Sequence, residues 1–270
     1  MSEQQLSLEW LGGATERRLR VSRPTFAELH DDLPWDSFDP ARADPDDLTE
    51  ARMVWTNGVF TEYASAAAFS AMNLAFLQCG APVDLCAAAA DFALDELVHV
   101  TLVSRLVMTL GGATPYFADL ERIVPTPPAE LSARLRAAEL AIKISCVGEA
   151  LSLPALTASH RGASHPLARA VLDTLRHDEG PHASIGHWFL AWAGTWLTPG
   201  DREYLGGVAR DAIDVYVPLW TDPEAAARPV LDHAGETTYR AYMEDAVEHR
   251  IVRRLARAGI QVANSSTVAA

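Results

Sequence analysis

Between Asp46 and Trp196 the chain divides into four stretches of about thirty residues, rich in Ala and Leu, with the helix breakers collected between them. The first runs from about Asp46 to Gln78 and closes at Gly80 and Pro82; the second runs from Val83 to Leu110 and closes at Gly111-Gly112. The third spans Glu130 to Ser159 and the fourth Pro166 to Trp196. Helices of that length reach about 45 Å. Within each pair the connection is tight, but GATPYFADLERIVPTPPAE separates the pairs and is too long and proline-rich for a turn. Two helical hairpins joined by one long crossover give an all-α, four-helix bundle. No strand alternation competes with it. Residues 201–220 and 236–258 read as two further helices, and the arm before Asp46, with Trp35 and Phe38, is expected to wrap the bundle surface. The expected organisation is one domain over 1–270: arm 1–45, bundle 46–197 and C-terminal helices 198–260.

Each bundle helix carries acid or imidazole where its apolar composition leaves least reason for it. Glu62 lies in VFTEYASAAAF, Glu96 and His99 in DFALDELVHV, Glu149 in ISCVGEALSL, and Glu179 and His182 in RHDEGPHASIGH. The order is Glu, ExxH, Glu, ExxH. The spacings from single Glu to motif Glu are 34 and 30 residues, as in a duplicated hairpin. Residues three apart share a helix face, so the Glu and His of each ExxH can reach one point. Antiparallel pairing at these spacings brings all four helix mid-points to one height. Four ionised carboxylates in a bundle core are very costly unless neutralised. Two divalent cations would supply four positive charges and use the lone pairs of all six side chains. Carboxylates with one imidazole per ion and no thiolate favour iron or manganese over zinc. Asp95 and Asp178 precede the two motif glutamates, and a ligating imidazole usually gives its second N–H to a carboxylate. Each Asp is therefore a candidate partner for a histidine, either the one four residues on or the one in the other half.

This pattern resembles the di-iron carboxylate proteins of the ferritin-like superfamily, with DELVH and DEGPH matching the DExxH form of its oxygenases; the resemblance covers about Asp46 to Trp196. It implies a ferritin-like bundle, two irons (or manganese) held by Glu62, Glu96, His99, Glu149, Glu179 and His182, and O2 as co-substrate. An oxygenase or oxidase of a small organic substrate is the activity it favours, with a ferredoxin or reductase as electron donor. A ferroxidase or peroxidase remains the alternative, as does a structural bundle with a degenerate or zinc-bearing site. Two subtypes lack their marks. Radical-generating ribonucleotide reductase subunits place a tyrosine where this chain has Val103, and arylamine N-oxygenases place another histidine where it has Leu175. CxxC pairs, which a rubredoxin module needs, are absent.

Around these residues the sequence suggests a pocket. Gly58, Cys146, Trp55 and Phe69 fall on the inward faces of their helices. Gly148 weakens the helix beside Glu149, as at functional π-bulges. Gly180-Pro181 is expected to bend the fourth helix and open access to the metals. His187, off the ligand direction, suits a packing role or a supporting contact to a ligand, and His177 the opposite face. Glu244, Glu248 and His249 lie on a helix charged all round, and Arg250, Arg253, Arg254 and Arg257 suit its C-terminal end. A net charge of −14 disfavours nucleic acid and anionic membranes. Cys79, Cys86 and Cys146 have no paired spacing, and the opening MSEQQLSLEW lacks the basic start and apolar run of a leader. Apolar runs are interrupted before membrane-span length. The expected setting is the cytoplasm, and long bundle faces suit a homodimer.

Overall fold

The computed structural model describes residues 3–9, 13–23, 31–221 and 236–263. It is all-α apart from one short pairing, in which β1 (Gln4–Gln5) lies antiparallel to β2 (Phe117–Ala118), with Gln4 opposite Ala118. The N-terminal arm is thereby tied to the crossover, and it adds helix α1 (Gly13–Ser22). Trp35 and Phe38 pack half-buried against the apolar cluster that holds Val59, Leu102 and Leu175.

Four long helices dominate: α2 (Pro45–Cys79), α3 (Val83–Thr109), α4 (Ala133–Gly162) and α5 (Pro166–Ala193). Their ends follow from local chemistry. Asp44 caps α2 by accepting from the N–H groups of Asp46 and Asp47, at 2.9 and 3.3 Å, with Pro45 in the first turn. Gly80 ends α2 in the left-handed conformation, φ 70°, and its N–H returns to the carbonyls of Phe76 and Leu77. Ser132 caps α4 and the His165 imidazole caps α5. A reciprocal Thr198–Asp201 capping box opens α6 (Pro199–Tyr216), which leads to the single turn α7 (Pro218–Thr221). Helix α8 (Glu236–Ala246) continues through a π stretch, Val247–Val252, into α9 (Arg253–Arg257). Glu244, Glu248 and His249 are exposed and ion-paired locally, as their charged surroundings predict.

Two apolar clusters lie at either end of the long helices. One contains Phe69, Phe76, Ile142, Ile185 and Phe189, with Phe76 and Phe189 stacked at 4.4 Å; the other contains Val59, Val103, Leu106, Val171 and Leu175. Along α2, α3 and α5 the carboxylate and imidazole positions fall between the residues that feed these clusters.

Helix α4 departs most from expectation. By length and hydropathy it is apolar enough to cross a membrane, contrary to the reading that every apolar run is interrupted; 61% of that apolar window is buried inside the protein, as for a core helix. Its middle, Ala141–Glu149, is a π-helix. Gly148 lies in this wide segment, where an added Cβ would meet the Lys143 carbonyl and the Tyr216 hydroxyl, each at 3.3 Å. Across from it, Gly186 of α5 leaves no space for a side chain: a Cβ would stand 2.6 Å from the Ala141 carbonyl and 2.7 Å from Cys146 Sγ. The buried Ser145 hydroxyl donates to the His182 carbonyl (2.7 Å) and accepts from the Gly186 N–H (2.9 Å), the two groups that bond each other in an ordinary α-helix.

Candidate metal centre

Helices α2, α3, α4 and α5 bring Glu62, Glu96, His99, Glu149, Glu179 and His182 to one place. The donor atoms form two overlapping groups of four, each with its atoms within 4.8 Å of one another: Glu62, Glu96, His99 and Glu179, and Glu96, Glu149, Glu179 and His182. Glu96 and Glu179, from the two ExxH motifs, belong to both. Glu96, His99, Glu179 and His182 are almost completely buried, Glu149 is 5% exposed, and the Glu62 side chain is 13% exposed.

Both imidazoles turn Nδ1 inward. His99 Nδ1 is 3.4 Å from Glu96 and 3.6 Å from Glu62, and His182 Nδ1 is 2.8 Å from Glu96 and 3.6 Å from Glu179. Even so, His99 Nδ1, His182 Nδ1, both Glu96 oxygens and Glu179 Oε2 are buried without a hydrogen-bond partner. Orphaned donors and acceptors of this kind are rare in a protein interior and expensive. Convergent carboxylate oxygens and imidazole nitrogens suit a metal ion, which would satisfy them together. The cluster can hold such an ion.

The outward nitrogens resolve the choice that sequence left open. His99 Nε2 meets Asp178 at 3.2 Å, and His182 Nε2 lies 3.8 Å from Asp95, so each Asp serves the histidine of the opposite motif. Arg23, from the N-terminal arm, ion-pairs with Asp91 and with Asp95, the latter at 3.4 Å. Holding Nε2–H this way leaves Nδ1 free as the ligating lone pair.

Left to the side chains alone, protons would have to carry the neutralising charge. Burial pushes Glu96 up to about 7, against the lowering effect of His182 and His99. Burial, then the neighbouring Glu179, raises Glu149 well above the carboxylate range, and burial likewise raises Glu179. For the imidazoles burial works the other way, but the carboxylates outweigh it. Asp178, Glu62 and Glu96 raise His99, and Asp95, Glu179 and Glu96 raise His182 to about 12. A site that must gather protons to balance itself is one whose cation binding releases protons.

No family model matches this chain, and neither a curated protein nor a solved structure is significantly similar to it. What it does must be read from the site.

Beside the carboxylates lies a cavity of about 710 Å³. Its wall comes mainly from α2 and α4, the helices with single glutamates, and includes Glu62, Ser65, Gly148 and Glu149; Glu179 faces it from α5. Val103 and Leu175 line it too, so those two positions contribute methyl groups and no ligand. The crossover at residues 122–125 and the C-terminal residues Tyr216, Trp220, Tyr239 and Met243 complete the wall. The elements added to the four long helices thus line part of the space next to the carboxylates.

Some pocket expectations need correction. Trp55 and Gly58 line the cavity, but Phe69 is fully buried with its ring against His182, 5.2 Å between centroids, and Cys146 is buried beside His187. Gly180 and Pro181 are not on the cavity wall. Helix α5 runs through Pro181, whose side is exposed, so the lost backbone donor falls where water can replace it. His177 is exposed, as expected.

Sequence reading missed several residues. Glu139 is 1% exposed and is held by Lys143 at 2.5 Å and by the Tyr204 hydroxyl at 2.6 Å. Lys143, the chain's only lysine, also lines the cavity. The i,i+4 spacing of Glu139 and Lys143 was a legible signal for the pair. Ser145 and Gly186 had none, because their roles depend on how closely α4 approaches α5.

Proposed function

We propose that this protein is a di-iron oxidoreductase that activates O2 to oxidise a small organic molecule, built on a ferritin-like four-helix bundle. The observation that carries the reading is the pair of four-residue groups sharing Glu96 and Glu179. In this reading Glu62, Glu96, His99 and Glu179 would hold one ion, and Glu96, Glu149, Glu179 and His182 would hold the other. Bound there, iron would supply the electrons and coordination positions for O2 reduction, which amino-acid side chains do not provide. Manganese fits the same donors.

The chain's own residues have separable tasks. Asp178 and Asp95 keep the proton of each imidazole on Nε2 and fix the ring. The Ser145 hydroxyl, bonded to the His182 carbonyl, sets the height of α5 against α4. Apolar cavity walls from Trp55, Val103, Leu172 and Leu175 exclude water and give an organic substrate its contact area. Such a cavity favours an oxygenase or oxidase over a ferroxidase or peroxidase, whose substrate would need no apolar chamber. A ferredoxin or flavin reductase would supply electrons, and the cytoplasm is the setting we assign.

The experiment is iron loading followed by anaerobic reduction and exposure to O2, read by metal analysis and optical spectroscopy. Iron bound to the wild type that reacts rapidly with O2 supports the reading. Iron that binds but never reacts would remove the oxidoreductase and leave a metal-binding bundle.

A further inference from the structure

A second pocket, of about 450 Å³, lies at the C-terminal end of α5, lined by His187, Leu190, Arg202, Arg254 and Arg257 among others. Its electrostatics are opposite to those of the chain as a whole. The protein has 36 acidic and 22 basic residues, yet among the described residues three basic ones and no carboxylate line this pocket.

Capping explains one of the three. Arg202 donates to the Gly194 carbonyl (3.2 Å) and to that of Ala258, the carbonyls that end α5 and α9. Gly259, at φ 74°, lets the chain turn against it. With those carbonyls served by Arg202, Arg254 and Arg257 are left with no hydrogen bond or ion pair among the described residues. Arg254 is half-buried. Three guanidiniums sharing one pocket repel one another, and each is a forked donor matched to phosphate or carboxylate.

His187 adds a neutral donor. Its Nδ1 is 3.8 Å from Cys146 Sγ. Burial keeps that thiol protonated, and with the S–H donating to Nδ1 the imidazole proton sits on Nε2. His187 Nε2 is buried and has no hydrogen-bond partner among the described residues. Burial, followed by the charge of Arg254, holds the ring neutral.

We propose that Arg202, Arg254, Arg257 and His187 form a binding site for a small molecule bearing an oxyanion, a phosphate ester or a polycarboxylate. This site is separate from the metal centre and does not depend on the oxidoreductase reading. The guanidiniums hold the anionic group, and Leu190 and Ala191 offer apolar contact to the remainder.

Calorimetry on the full chain at low ionic strength, with inorganic phosphate and citrate as probes and chloride as the control anion, tests it. Saturable binding of phosphate or citrate is expected, weakened about tenfold by Arg254→Gln and by Arg257→Gln, and unchanged by Arg240→Gln elsewhere on the surface. Phosphate alone would identify a phosphorylated ligand, and citrate alone a polycarboxylate. Arg257 is exposed, so its variant keeps the test valid if Arg254→Gln folds poorly. Absence of saturable binding by both anions, or equal affinity in wild type and Arg257→Gln, would overturn the proposal.

Discussion

The first hairpin presents Glu62, Glu96 and His99 on unbroken α-helices, whereas the second presents Glu149, Glu179 and His182 on helices that are distorted against each other. Helix α4 widens into a π segment ending at Glu149, and Ser145 bridges the His182 carbonyl and Gly186 N–H of α5. The two groups of candidate donors are nearly symmetric, so the donors themselves do not demand the distortion. What differs is the surroundings. The π segment turns Lys143, Gly148 and Glu149 toward the cavity, and Gly148 allows the Tyr216 hydroxyl to approach closely. Both hairpins line the chamber, the first through α2 with ordinary helical geometry and the second through the π segment of α4. A π segment at a functional site is a familiar way to re-aim side chains without breaking a helix.

The sharpest way to break this symmetry is through the carboxylates common to both groups. Glu96→Ala or Glu179→Ala should remove nearly all bound metal, while Glu62→Ala or Glu149→Ala should leave about half, measured as metal per chain after loading. Equal loss from all four would mean that no carboxylate is shared.

The glycines test the packing difference. Gly186→Ala should destabilise by about 1–3 kcal/mol or more, because the new Cβ meets the α4 backbone. Gly58→Ala, in the first hairpin, makes ordinary contacts with a Val103 methyl at 3.5 Å and the Trp55 ring at 3.9 Å and should be neutral or stabilising by up to about 1 kcal/mol. Chemical denaturation separates the two.

The histidine partners should rank by distance. Asp178→Asn, at 3.2 Å from its imidazole, should weaken metal affinity about 10- to 100-fold, and Asp95→Asn, at 3.8 Å, by less. Competition with a chelator would measure both.

A smaller effect concerns pH. Glu96, Glu149 and Glu179 hold protons more tightly folded than unfolded, so their contribution to metal-free stability is full below about pH 4, the unfolded carboxylate value. It fades as pH rises through about 7, the folded value for Glu96. His99 and His182 shift in the same direction, and Asp178, which is lowered, acts only under acid conditions. Metal-free protein should therefore lose thermal stability from about pH 5 to 8, and added divalent metal should restore most at the upper end. Thermal melts across that range would show a flat or rising profile if the carboxylates were not gathering protons.

Sequence made the helices and the converging Glu and His cluster legible because both are periodic. A composition of Ala and Leu punctuated by Gly and Pro placed α2 and α3 to within one residue at each end, and acids in apolar helix centres have few other reasons to be there. The position of α4 was less clear, since it starts at Ala133, after the Ser132 cap, and not at Glu130. Interhelix contacts were not legible. Whether Asp95 serves His99 or His182 depends on how α3 faces α5, and Gly186 looks ordinary until α4 lies 2.6 Å from its missing Cβ. Pro181 misled because a proline inside a helix bends it inward or outward according to which face it occupies, and here that face meets solvent.

The most direct test of a centre shared by two hairpins is the iron content of protein loaded without oxygen, with Mössbauer spectroscopy on the same sample before and after O2. About two irons per chain are expected, coupled to each other after oxidation. One isolated iron per chain, or none retained, would contradict it.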